Sequence, residues 1–142
     1  MNCADVTFAG VSPSRMTPGS HGFDLSALAG AWVKPWSTVL IDTGVRLTHV
    51  PEGVIPLVVA RSSLWNHGLM LGNGVGVIDR DYAGPTDTIK LVISNMTDRL
   101  HRVNAGDRLA QLIFVSGPPV TMELDDIEAP DRGGFGSTGE GV

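Results

Sequence analysis

Apolar and polar residues along this chain alternate in short runs that keep being interrupted. Thr38-Val-Leu-Ile-Asp-Thr-Gly-Val45 reads as a β-branched strand running to a turn, and Pro51-Glu-Gly53 marks a turn before another apolar run. Taken over the whole sequence, the pattern predicts strands at Val6–Ala9, Phe23–Ala27, Ser37–Leu47, Val54–Ala60, Gly74–Ile78, Thr88–Ser94, Arg108–Val115 and Val120–Leu124. Only Ser62–His67 reads as helix, one or two turns long, with Ser62 as its N-cap. Many short strands divided by frequent turns predict an all-β sandwich, barrel or jelly roll. No repeat recurs at a fixed period.

Composition supports this picture. Glycine occurs 18 times and proline 9 times in 142 residues, a density that breaks long helices. A 42% hydrophobic and 18% charged chain of this length fits a single globular domain. No apolar run approaches the ~18 residues of a membrane helix, and the N-terminus lacks a basic segment followed by an apolar one, so no membrane association or secretion is expected. The single cysteine, Cys3, excludes an intrachain disulfide and fits a reducing compartment, the cytoplasm, or a host's cytoplasm for a viral chain. A net charge of −5 with no basic stripe argues against nucleic acid as a partner.

The end of the chain differs from the rest. From Glu128 it reads EAPDRGGFGSTGEGV, with five glycines and almost no apolar side chains. Such a segment cannot bury itself. A frayed end with one incidental aromatic is the simpler account. A lid is the alternative, with Phe135 stacking on a ligand and the glycines allowing close backbone approach. The expected organisation is a β domain over 1–127 and a flexible arm over 128–142.

Three internal segments carry candidate chemistry. Ala60-Arg-Ser-Ser-Leu64 puts an arginine fork beside free N–H groups at the start of a turn; it suits phosphate, and equally a plain cap beside a surface arginine. Leu71-Gly-Asn-Gly-Val-Gly-Val-Ile-Asp-Arg-Asp-Tyr82 contains a tight hairpin turn at Gly-Asn-Gly, whose backbone could pair with a flat base. Asp79 follows an apolar run and is expected to be partly enclosed, where a carboxylate can act as a base. Gln111 interrupts the apolar strand Arg108–Phe114, as either a satisfied core amide or a ligand contact. The four histidines are scattered, and no HExxH, GxSxG or P-loop occurs. Any metal used would suit carboxylates and ligand phosphates, hence Mg²⁺.

Five segments, in order, resemble the motifs of the trimeric dUTPase family: His21-Gly-Phe-Asp-Leu-Ser-Ala27, Ala60-Arg-Ser-Ser-Leu64, Gly76-Val-Ile-Asp-Arg-Asp-Tyr-Ala-Gly84, Gly106-Asp-Arg-Leu-Ala-Gln-Leu-Ile113 and Arg132-Gly-Gly-Phe-Gly-Ser-Thr-Gly139. The resemblance implies a distorted jelly-roll protomer, a threefold homotrimer with exchanged C-terminal arms, and Mg²⁺-dependent hydrolysis of dUTP to dUMP and pyrophosphate. It implies sites between two subunits, each closed by the arm of the third. Asp79 would match the catalytic carboxylate, which activates a water for in-line attack on the α-phosphorus. Tyr82 would pack under the sugar, and Asn73 with the Gly74, Val77 and Ile78 backbone would hold uracil. Arg61, Ser62, Ser63 and Gln111 would contact phosphates. Asp24 would support the magnesium–water network, the metal itself resting mainly on substrate phosphates and waters. Phe135 and Gly136 would cover the base, while Arg132, Ser137 and Thr138 would hold the outer phosphates.

The chain departs from the family pattern at Ala60 and Ala83, in a Gly84–Thr88 stretch about two residues longer than usual, and in the short spacing from Arg132 to Phe135. A dCTP deaminase shares the fold and an Arg-Ser-Ser segment, but would need a glutamate that Thr88-Ile-Lys-Leu-Val92 lacks. A regulatory protein on the same scaffold is the other alternative; a protein partner of that kind is not derivable from sequence.

Overall fold

The computed structural model describes residues 3–136 and Gly139, and every strand pairing among them is antiparallel. Eleven strands form four small sheets. β1 (Thr7–Gly10) pairs with β5 (Val45–His49), and β3 (Ala31–Val33) pairs with β10 (His101–Val103). β2 (Phe23–Ser26), β11 (Arg108–Ser116), β6 (Val54–Ala60) and β8 (Gly76–Val77) lie side by side in that order. β4 (Thr38–Asp42), β9 (Lys90–Asn95) and β7 (Leu69–Leu71) form the fourth sheet, with β9 in the middle. This is the all-β, jelly-roll-like architecture that the sequence predicts.

The core lies between the sheets. Leu25 of β2, Leu112 of β11, Leu91 and Ile93 of β9, Val45 of β5, Val33 of β3 and Val103 of β10 are all fully buried. The alternation that announces the strands is visible in β5 and β6, where inward and outward positions trade places residue by residue. Long strands such as β6 and β11 are near-continuous apolar runs, legible from their length and composition. They also pair with each other over seven positions, from Ala110–Ala60 to Ser116–Val54.

Several expected elements differ. The single strand expected over Ser37–Leu47 is two, broken at Thr43-Gly44. Gly44 has a φ of 69°, the Thr43 hydroxyl donates to the Ile89 carbonyl at 2.7 Å, and the Gly44 N–H donates to Oδ1 of Asp42 at 2.8 Å. The turn frees β4 to pair with β9 and β5 to pair with β1. The helix expected over Ser62–His67 is a single 3₁₀ turn, Leu64–His67, ended by Gly68 in the left-handed region. Its N-cap is Ser63 and makes no side-chain cap bond.

Gly-Asn-Gly does form a turn, with Gly74 N–H donating to the Leu71 carbonyl at 3.0 Å. It is not a hairpin, because the flanking strands β7 and β8 pair with β9 and β6 respectively. The strand expected over Gly74–Ile78 shrinks to Gly76–Val77, and the strand expected from Thr88 begins at Lys90.

Three short strands, β3, β7 and β10, were not expected. A buried amide helps to define two of them: Asn95 Nδ2 donates to the carbonyls of Val33 at 3.0 Å and Arg99 at 2.7 Å, while Oδ1 accepts from the Thr97 N–H and hydroxyl.

The strand expected at Val120–Leu124 is absent. β11 ends at Ser116, and the described residues beyond it form no strand or helix. Val120, Met122 and Leu124 alternate with polar neighbours as a strand would, yet they are 77%, 93% and 101% exposed. The period-2 pattern is present, but the edge it would pair with is not supplied by this chain.

Candidate functional site

Strand β6 organises two clefts. The first opens beside the Asn73–Tyr82 segment, with a volume of about 220 Å³. Val58, Leu71, Ile89 and Val92 form its apolar side; Asn73, Gly76, Val77, Ile78, Asp79 and Tyr82 border it, together with Lys90. β8 is the edge strand of its sheet and bonds only to β6, so one row of its backbone N–H and C=O groups has no partner in the sheet. An apolar wall beside an open backbone edge suits a flat heterocycle that carries both donors and acceptors.

Asp79 leaves the end of β8, where the preceding Ile78 N–H donates to the Pro56 carbonyl at 3.1 Å. Its expected enclosure is not found: Asp79 is exposed in the single chain. Val75 and Val77 of the run before it are themselves 52% and 64% exposed, and nothing among the described residues encloses the carboxylate. Tyr82 is half-buried; its N–H donates to the Asp79 carbonyl at 3.1 Å, which makes the acid and the ring two ends of one turn. Gly74 stands outside the cleft lining.

The second cleft, of about 160 Å³, brings together Gly22 and Asp24 of the first motif, Arg61 and Ser62 of the second, and Gln111 of the fourth. The register explains the meeting: Gln111 on β11 lies directly between Asp24 on β2 and Val59 on β6. Arg61 Nε donates to Asp24 Oδ1 at 3.0 Å, and Arg108 Nη1 lies 3.5 Å from Oδ2, so both carboxylate oxygens face a guanidinium. Asp24 is almost buried, its side chain 9% exposed. Gln111 Nε2 donates to the Ala60 carbonyl at 3.2 Å. The amide is thus tied into the frame at one end and lines the cleft with the rest. Ser62 is exposed into this cleft, with Arg61 fixed beside it by Asp24 rather than by any helix end.

Ser63 is separated from Ser62. It lines a third cleft with His67, His101 and Arg102, where the two histidine rings lie 5.6 Å apart. Burial, then the charge of His67, push His101 below the ordinary histidine range against the opposing pull of Asp107.

Sequence reasoning gave no role to Arg108 or Lys90. Arg108 is inside the Gly106–Ile113 motif, and the acidic residue it pairs with is 84 positions away, out of reach of any spacing argument. Lys90 lies beside Asp42. Burial raises the carboxyl of Asp42, but the Gly44 N–H, the Thr88 hydroxyl and the Lys90 charge outweigh it and hold it below the usual range.

The two clefts meet β6 at different levels, the first at Val58 and the second just past its end at Arg61. Ile78, the neighbour of Asp79, sits beside Pro56, whereas Arg61 follows Ala60. Five residues of extended chain separate those levels, roughly 17 Å at ~3.3 Å per residue. The arm joins neither: Arg132 and Phe135 line neither cleft, and the Phe135 ring is fully exposed. Ser137 and Thr138 lie outside the described residues.

Comparison with known proteins agrees on one family. The dUTPase family profile matches residues 9–139. The chain is 41% identical over 135 residues to the deoxyuridine 5′-triphosphate nucleotidohydrolase of Shewanella baltica, covering 89% of this chain and 86% of that one. It superposes on the crystal structure of dUTPase from Streptococcus mutans with a TM-score of 0.74 at 30% identity, covering 81% of this chain and 98% of that one. A mutant dUTPase from phage phi11 of S. aureus, whose structure describes coordination of a structural Mg(II) ion, shares the fold with a TM-score of 0.70 at 23% identity, over 88% of this chain and 97% of that one. With its edge-strand cleft and its guanidinium–carboxylate cradle on one jelly-roll frame, this chain belongs to the dUTPase family, the enzymes that hydrolyse deoxyuridine 5′-triphosphate.

Proposed function

We propose that the nucleotide binds between two copies of the chain, with the base and sugar in the Asn73–Tyr82 cleft of one subunit and the phosphates on Arg61, Ser62 and Gln111 of the next. The observation that carries this reading is the separation of Asp79, which follows Ile78 at the level of Pro56, from Arg61 past the other end of β6, which leaves a single chain with two half-sites. A homotrimer closes such a head-to-tail arrangement, each subunit giving one half-site to each neighbour. The 128–142 arm of the third subunit covers the nucleotide, Phe135 with Gly136 over the base and Arg132, with Ser137 and Thr138, on the outer phosphates. The exposed alternation of Val120, Met122 and Leu124 supports an arm that pairs with a neighbouring copy.

Within that site Asp79 accepts a proton from a water as the water oxygen attacks the α-phosphorus in line. The bond from the α-phosphorus to the α–β bridging oxygen breaks, and pyrophosphate leaves with that oxygen while dUMP stays behind. Asn73 and the unpartnered edge of β8 pair with uracil. Tyr82 fills the space a 2′-hydroxyl would need.

The donor set fits Mg²⁺ held by phosphates and waters. Among the described residues, no three His, Cys, Asp or Glu side chains converge, and Asp24 already spends both oxygens on Arg61 and Arg108. Asp24 therefore acts through the water network and through Arg61. When bound, the ion supplies charge neutralisation on the triphosphate. No helix among the described residues is long and apolar enough to cross a membrane; action in the cytoplasm fits the free Cys3.

The test is pyrophosphate release from dUTP, dCTP, dTTP and UTP in parallel, with Mg²⁺ and with a chelator. The expected result is release from dUTP alone, lost on chelation. Ammonia released from dCTP, with dUTP untouched, would overturn the reading in favour of deamination.

A further inference from the structure

The ring of Tyr82 borders the first cleft, but its hydroxyl points away into a short closed loop. Oη donates to the Thr88 carbonyl at 2.8 Å. The loop that presents this carbonyl is closed on itself: the Gly84 N–H donates to Oδ2 of Asp87 at 2.8 Å, and the Asp87 N–H donates back to the Gly84 carbonyl at 3.1 Å. The Thr88 N–H donates to the Thr86 carbonyl at 2.9 Å. A Cβ at position 84 would stand 2.8 Å from Oδ2 of Asp87, so a larger residue there would push that carboxylate off the Gly84 N–H. Two cations brace the ends. Arg46 Nη1 donates to the Ala83 carbonyl at 3.1 Å, and Lys90 Nζ donates to the Thr88 hydroxyl at 3.2 Å. Asp87 itself is half-buried and does not line the cleft.

We propose that the Gly84–Thr88 loop, closed by Asp87, clamps the far end of Tyr82, and that Asp87 is therefore a positioning residue that sets selection of deoxyribonucleotide over ribonucleotide. This rests on the proposed placement of Tyr82 under the sugar. A largely apolar wall rejects an added hydroxyl only weakly, by about 10²-fold in favourable cases, because little is lost if the wall yields. The rigidity of the wall then decides the outcome. A phenol held only at its Cβ can rotate away from a 2′-hydroxyl. One bonded through Oη to a closed loop has to break that bond first.

Steady-state kinetics on dUTP and UTP with the full-length Asp87→Ala, Asp87→Asn and Tyr82→Ala chains tests the clamp. Asp87→Ala is expected to lower the dUTP-to-UTP ratio of kcat/KM by about fivefold, the scale of one hydrogen bond, and chiefly through a lower KM for UTP. Asp87→Asn keeps an oxygen for the Gly84 N–H and is expected to restore the ratio. Tyr82→Ala reports the sugar contact itself and is expected to lower the ratio at least as far. An unchanged ratio in Asp87→Ala beside a collapsed one in Tyr82→Ala overturns the clamp and leaves the sugar contact standing. An unchanged ratio in both overturns the sugar contact and the clamp with it. A fall that Asp87→Asn fails to restore overturns Asp87 as the cause.

Discussion

Asp79→Asn is expected to lower kcat on dUTP by about 10²–10⁴-fold, the usual range for removing a general base, while dUTP binding and the fold persist. Asparagine is nearly the same size as aspartate, and Asp79 makes no ion pair whose loss would disturb the frame among the described residues. The carboxylate stands exposed at the end of β8, beside a cleft lined by apolar residues and an open strand edge. Binding therefore draws on groups that the substitution leaves alone, and only proton transfer from the attacking water is lost. Single-turnover kinetics combined with equilibrium titration of a non-hydrolysable dUTP analogue separates the two. A kcat near that of the unaltered chain would remove Asp79 from the role of base; lost affinity with kcat preserved would make it a binding group.

Deleting Asp131–Val142 is expected to lower kcat by on the order of 10²-fold or more, comparable to removing a positioned donor from a reacting anion, with the oligomer intact. The deleted residues follow Val120, Met122 and Leu124, which remain available to dock on a neighbour. In the single chain Phe135 and Arg132 contact neither cleft, so their removal costs the body nothing. The loss should fall on the chemical step, because an uncovered triphosphate exchanges its fixed donors for bulk water. Kinetics and light scattering on the same preparation check both halves. Full activity would eliminate the lid, and a truncated chain that no longer assembles would place the assembly contacts in the tail.

How much of this was legible beforehand varies with the length over which each signal acts. β6 and β11 announce themselves as near-continuous apolar runs, and both edges of each strand meet partners in the same chain. The cradle of Asp24, Arg61 and Gln111 was legible only through the resemblance. Its members come from three distant segments, and only the β2–β11–β6 register joins them. β3, β7 and β10 are three residues each, too short for periodicity to show; distant strands pair with all three, and the Asn95 amide bonds β3 at Val33. The Asp42-Thr43-Gly44 turn was signalled in the sequence, but the apolar residues on either side let one strand be read through it. Val120–Leu124 failed in the opposite sense: its alternation is real, and no strand edge among the described residues takes it up.

The distance along β6 between Asp79 and Arg61 carries a genetic consequence. If each site takes its acid from one subunit and its phosphate cradle from the next, two defective chains can repair each other. Neither an Asp79→Asn chain nor an Arg61→Ala chain would make a working site alone. A mixed trimer has one junction at which the intact acid of the second variant meets the intact cradle of the first. Co-expressed, the two alleles should complement, and a cell carrying both would regain hydrolysis that neither mutation permits by itself.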